Sequence, residues 1–94
     1  MAENRAGTSI GWNKATEDNF FKILEEIPAL IRGIAETLVS KKAEKLALSE
    51  NRQEINEKDM VDAFFAETPG GFVPAMKESM NQLKIDYTQY GHEK

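Results

Sequence analysis

Apolar residues recur at helical spacing along most of the chain, and proline and glycine cut the pattern into pieces. Phe20, Phe21, Ile23, Leu24 and Ile27 stand three and four apart and predict a first helix, capped by the side-chain oxygen of Asn13 or Thr16. Pro28 disfavours helical geometry at Ile27 yet suits the first turn of a new helix, so a sharp boundary is expected between them, with a bent continuous helix as the alternative. From Pro28 to about Ser49, the residues Ile31, Ile34, Ala35, Leu38, Val39, Ala43, Leu46 and Ala47 keep the period without interruption. At the usual rise per residue this long central helix measures about 30 Å. Ser49 to Glu54 is a polar connector, after which Asn56 can cap a third helix running to about Ala66, with Asp59 in the place of the Glu or Gln of a capping box. Thr68-Pro69-Gly70-Gly71 is the clearest break, and Pro74, Met76, Met80 and Leu83 predict a fourth helix ending near Lys84. The reading is all-α: a flexible leader over 1–11, a helical core over 12–67 of short, long and short helices, and a linker, C-terminal helix and docked or frayed tail over 68–94.

Composition narrows the function classes. A chain of 94 residues makes one domain with a modest core, so help from a partner subunit is in keeping with its size. A net charge of −4 and a pI near 5.0 argue against an electrostatic grip on phosphate backbones. With no cysteine there is no disulfide, thiolate-ligated cluster, Cys-type zinc site or thiol nucleophile. No signal-peptide pattern opens the chain and no stretch approaches the roughly 20 apolar residues of a membrane span, so a cytoplasmic location is expected.

Catalytic chemistry finds little to build on. His92, the one histidine, lies near the end of the sequence and reads as a solvated tail residue, so neither a metal site nor a general base is expected. Paired Glu-x-x-His motifs for a carboxylate-bridged di-iron bundle are absent, and Asp59 with Asp62 reads as a cap beside a solvated side chain. Lys41, Lys42 and Lys45 form the one basic cluster and, without interleaved aromatics, read as a solvated face. Gly70-Gly71 lacks the spacing of a phosphate loop and reads as a linker. No cofactor is expected and the chain is not expected to be an enzyme.

The run from Arg52 to Asp59, after a long helix, resembles the histone fold, in which a strap carries an Arg, an apolar residue and then an Asp at the start of the last core helix. Arg52, Ile55, Asp59 and Ala63 fall on that pattern, with Ile55 anchoring the strap and Arg52 pairing with Asp59. Residues 12–64 also resemble the PCP reductase domain, the small C-terminal domain of the B subunit of light-independent protochlorophyllide reductase. The matching positions are Trp12, Ile27-Pro28, Arg32, Ala43, Ile55, Asp59 and Val61, while Asn56 replaces the usual Thr and an extra helical turn follows Trp12. The resemblance implies an accessory module, since the clusters that carry electrons in the reductase are held by cysteines outside that domain.

The third helix carries two apolar stripes, Met60 with Phe64 and Val61 with Phe65. The fourth helix can cover this helix within the chain through Phe72, Met76 and Met80, the same residues with Met60, Val61, Phe64 and Phe65 can form a dimer or partner surface, or both can hold. The function expected is a non-catalytic helical module that binds a protein partner or a second copy of itself. A histone-like nucleic-acid-associated protein is the alternative, and a tetrapyrrole or other apolar ligand beside Trp12 and the helix-three aromatics is a third reading.

Overall fold

The computed structural model describes residues 7–94. In chain order the elements are β1 (Gly11–Trp12), α1 (Lys14–Glu25), α2 (Ala29–Ser49), β2 (Glu54–Ile55), α3 (Glu57–Glu67), a 3-10 turn (Gly70–Phe72), α4 (Val73–Gln82) and a second 3-10 turn (Tyr87–Tyr90). The fold is all-α, with short, long and short helices followed by a C-terminal helix, and a parallel pairing of β1 with β2 as the one departure among the described residues.

Local chemistry explains most boundaries. Of the two capping residues expected for α1, Asn13 is the cap: its Oδ1 accepts from the Thr16 backbone N–H at 3.0 Å and from the Thr16 hydroxyl at 3.1 Å. The chain breaks after α1 and Pro28 sits at the N-cap of α2, so the two helices are separate. α2 closes in a Schellman motif. Asn51 takes the left-handed conformation at φ 61°, and the Arg52 and Asn51 N–H groups donate to the carbonyls of Ala47 and Leu48 at 3.0 Å each. α3 opens on the expected capping box, with Asn56 Oδ1 accepting from the Asp59 N–H at 3.2 Å and Asp59 Oδ2 accepting from the Asn56 N–H at 2.9 Å. α4 ends in a second Schellman motif, in which Lys84 is left-handed at φ 60° and the Ile85 N–H donates to the Met80 carbonyl at 2.9 Å.

The core is built where α2 crosses α3, with α1 and α4 packed alongside. An aromatic column runs through it: Trp12 stacks on Phe20 at 4.7 Å between ring centroids, and Phe20 meets Phe64 at 5.7 Å. The expected leader needs correcting. Residues 1–6 lie outside the described residues, but Thr8 and Ile10 are buried, and the Trp12 indole donates to the Thr8 hydroxyl at 3.1 Å. β1 then pairs with β2 in the register Gly11 to Glu54 and Trp12 to Ile55, and the Asn13 N–H donates to the Ile55 carbonyl at 2.9 Å. The first segment is therefore strapped to the connector that follows α2.

The tail is docked, not frayed. Ile85 and Tyr87 are buried, the Tyr90 hydroxyl donates to Glu57 at 2.5 Å, and His92 stacks on Phe65 at 4.0 Å with Nε2 2.6 Å from Asp62 Oδ1. The expectation of a solvated His92 is thus corrected. Its ring lies flat on an aromatic face that α3 offers on its outer side, and apolar contact with a ring outweighs tail entropy there. Asp62, also expected to be solvated, is held by His92 and by Lys58 Nζ at 2.9 Å.

Candidate functional site

Arg52 and Asp59 meet as their spacing predicts. Arg52 Nη1 donates to Asp59 Oδ2 at 2.5 Å and Nη2 donates to Oδ1 at 2.7 Å, a bidentate fork. The Schellman end of α2 aims Arg52 at the start of α3, and the capping box presents Asp59 with only 2% of its surface exposed. Glu50 adds a second carboxylate at 2.5 Å from Nη2. The hydrogen bonds that Arg52 donates to Asp59 and then to Glu50 push the guanidinium pKa up from an already high value, so the clasp carries a permanent cation. Its geometry is that of a structural clasp. Both carboxylate oxygens of Asp59 are engaged by Arg52 or by the Asn56 N–H.

The surface expected on the third helix is not a surface. Met60, Val61 and Phe64 are buried at 0–1% exposure, and Met76 and Met80 are buried beside them. Phe65 is half-covered by the tail through Tyr87 and His92, with Lys77 of α4 over its ring at 5.9 Å, so the second stripe of α3 is satisfied within the chain mainly by the tail. Of the seven residues assigned to an interaction surface only Phe72 stands out, 45% exposed. α4 folds back on its own chain, and Met76 accepts a weak hydrogen bond at its sulfur from the Thr68 hydroxyl at 3.3 Å.

Uncovered apolar area lies instead on the first half of α2. Leu30 is 93% exposed, Ile34 62% and Leu38 45%. Beside this stripe runs a groove of about 330 Å³, walled by Ile31, Ile34, Ala35 and Leu38 of α2, by Ile23, Ile27 and Pro28, and by Phe72, Ala75 and Met76 across the gap. Glu26 and Glu67 are the two carboxylates among its lining residues. The basic cluster of Lys41, Lys42 and Lys45 stands on α2 past the end of the stripe, and none of these three lysines forms an ion pair among the described residues. The signal for this face was in the sequence. Leu30-Ile31, Ile34-Ala35 and Leu38-Val39 are doubled apolar pairs of the same kind as Met60-Val61 and Phe64-Phe65, and a helix packed along one side leaves the first member of each α2 pair facing outward.

The other singled-out positions have packing roles. Trp12, Ala43 and Ile55 are buried at 0% exposure in the core. Arg32 caps the end of α1: Nε donates to the Leu24 carbonyl at 2.9 Å and Nη2 donates to the Ile27 and Glu25 carbonyls at 2.9 and 3.2 Å. Pro28 sets the break that brings those carbonyls to Arg32. Among the described residues no group of three or more His, Asp or Glu side chains is placed to hold a metal ion, and no helix is long and apolar enough to cross a membrane.

A family model described as "Protein of unknown function (DUF2621)" matches residues 6–93. No curated protein and no solved structure matches the chain. The match overturns the likeness to the PCP reductase domain and to a histone-fold family, since it falls on neither and covers nearly the whole sequence. The misleading residues have a common physical explanation. A buried tryptophan, a proline break, an arginine over a helix end, a small residue at a helix crossing and an Arg–Asp clasp serve any short–long–short helical packing, so their spacing reports geometry more than descent.

Proposed function

We propose that this chain, which belongs to the DUF2621 family, is a non-catalytic helical binding module that works through the groove beside α2 and the apolar stripe next to it. The observation that carries the reading is the exposure of Leu30, Ile34 and Leu38 in a chain whose other large apolar residues are mostly buried. Contiguous exposed apolar area on a small domain marks a binding face, because leaving it in water forfeits roughly 25 cal/mol for every Å² that a partner would cover. Polar groups in the molecule support the same view. The Arg52–Asp59 clasp, the Arg32 cap and the tail pairs are each consumed in holding the fold, and no buried side-chain polar atom is left without a partner among the described residues.

The test is fluorescence of an apolar-site dye, anilinonaphthalene sulfonate, on dilute protein. The chain should enhance the dye, and Ile34→Asp with Leu38→Asp should abolish the enhancement while helical circular dichroism and the melting temperature stay within a few degrees. Equal enhancement by the double variant sinks the assignment of the face.

A further inference from the structure

We propose that the occupant of this face is a second copy of the same chain, docked with its α2 antiparallel across a two-fold axis at Ile34. The inference rests on reading the α2 face as a binding surface and adds what binds there.

A two-fold contact must be self-complementary: whatever residue i meets on the second copy, the second copy's i meets in return. The α2 face has that symmetry in its apolar part. Leu30 and Leu38 lie four residues to either side of Ile34, so an antiparallel pairing about Ile34 sets each Leu30 against the other copy's Leu38. All three are well exposed, at 93%, 62% and 45% for Leu30, Ile34 and Leu38. Gly33 lies on the same exposed side of the helix, where an added Cβ would meet nothing within 4 Å. The bare backbone there lets a second helix approach closely, which offsets the helix propensity that glycine forfeits.

The charges have the same symmetry with opposite signs. Glu25 and Glu26 end α1 where the stripe begins, Glu67 also lines the groove, and Lys41, Lys42 and Lys45 follow the stripe at its other end. Lys41 lies seven residues past Ile34, about 10 Å along the helix, and Glu26 caps the end of α1 just before the Pro28 break where α2 begins. Among the described residues none of these six groups has an ion-pair partner, although Asp18, Glu50, Asp59 and Asp62 all do. Glu44, which stands among these lysines, is taken up by the Ser9 N–H and hydroxyl, so the face is acidic at one end, apolar in the middle and basic on balance at the other, and it is its own complement when reversed. Each lysine end then meets the other copy's glutamate end, twice per dimer, and attraction at both ends fixes the antiparallel register. A parallel pairing sets lysine against lysine and is rejected by the same charges. The phenyl ring of Phe72, exposed on the far wall of the groove, covers the flank of the incoming helix.

Sedimentation equilibrium of the whole chain tests the proposal. A micromolar dimer is expected, weakened by salt because its end charges are partly solvated. Leu30→Asp should give a monomer whose melting profile matches that of the parent chain diluted below its dimer Kd, since Leu30 is almost fully exposed in one copy. Lys41→Glu with Lys42→Glu should weaken the dimer ~10-fold or more, and Glu25→Lys with Glu26→Lys should do the same. All four together restore the complement, and recovery of the dimer is the decisive result. A monomer that still enhances the dye through Ile34 and Leu38 overturns the second-copy proposal and leaves the binding-module reading standing. Absence of both association and dye binding removes both. A dimer indifferent to Leu30→Asp and to the charge reversals forms elsewhere, and it too overturns the proposal.

Discussion

Replacing Arg52 with alanine tests whether the strap clasp holds the fold or merely decorates it. Asp59 is 2% exposed and accepts three hydrogen bonds, two from the guanidinium at 2.5 and 2.7 Å and one from the Asn56 N–H at 2.9 Å. The substitution leaves that carboxylate covered, with one donor in place of three. Breaking a fully buried pair costs about 3–5 kcal/mol, whereas an exposed pair is worth about 0–1 kcal/mol. Arg52 sits between these limits at 28% exposure, so water can enter the space it vacates, and a loss of about 2–3 kcal/mol is expected. For a domain of this size that corresponds to a fall of ~10–20 °C in melting temperature. Urea unfolding followed by circular dichroism measures it. A double-mutant cycle with Asp59→Ala separates the pair from the capping box, which Asp59→Ala removes as well, and a coupling energy of at least about 1 kcal/mol is expected. Arg52→Lys keeps the cation without the planar fork and should recover part of the loss. A loss of less than about 0.5 kcal/mol for Arg52→Ala, or a coupling near zero, would show that the clasp behaves as a surface pair and that burial of Asp59 was given too much weight.

Four further outcomes follow from the same geometry. Arg32→Ala uncovers the carbonyls of Leu24, Glu25 and Ile27, so amide hydrogen exchange should quicken around the α1–α2 junction and stability should drop by about 1–3 kcal/mol; unchanged exchange there refutes the capping role. Phe64→Asp puts a carboxylate among Phe20, Met60 and the rest of the core and should abolish the cooperative melt, since the loss exceeds about 4 kcal/mol in a domain with little stability to spare; a folded variant would place Phe64 outside the core. Lys84→Gly relieves a side chain held in the left-handed region and should stabilise by about 1 kcal/mol in urea titration, and no gain would mean that the Schellman end of α4 carries no strain. Burial, and then the hydrogen bond to Glu57, pushes the Tyr90 phenol up to about 12 from its ordinary 10, so its contribution is full below pH 10 and is lost as pH rises through 12; the stability gap between the chain and Tyr90→Phe should close over that window, and a gap constant with pH refutes the tail contact.

Residues close in sequence were legible and residues brought together by the fold were not. Arg52, Asn56 and Asp59 lie within a single strap and first turn, so their spacing alone dictates who meets whom. The same holds at Ile27-Pro28, where backbone sterics act between neighbours. By contrast, Tyr90 and His92 find Glu57 and Asp62 across separations of 33 and 30 residues, and β1 with β2 offers two residues apiece, too short for any alternation to register. The doubled apolar pairs show the limit most sharply. In α3 the second stripe is roofed by Phe65's neighbours Tyr87 and His92, while in α2 Leu30, Ile34 and Leu38 stay bare. Both helices advertise an apolar excess, and only the path of the tail decides which of them keeps it.

The strapping of β1 to β2 also governs when the protein can fold during its own synthesis. Trp12 reaches the ribosome exit long before Ile55, its register partner, and the pocket that receives the indole does not exist until α3 has emerged to supply Phe64 through Phe20. Residues 87–92 then have to follow before the outer face of Phe65 is shielded. A nascent chain halted after α2 therefore displays Trp12, Phe20 and the whole apolar excess of α2 to water or to a waiting chaperone, and closure is a late event made from both directions at once.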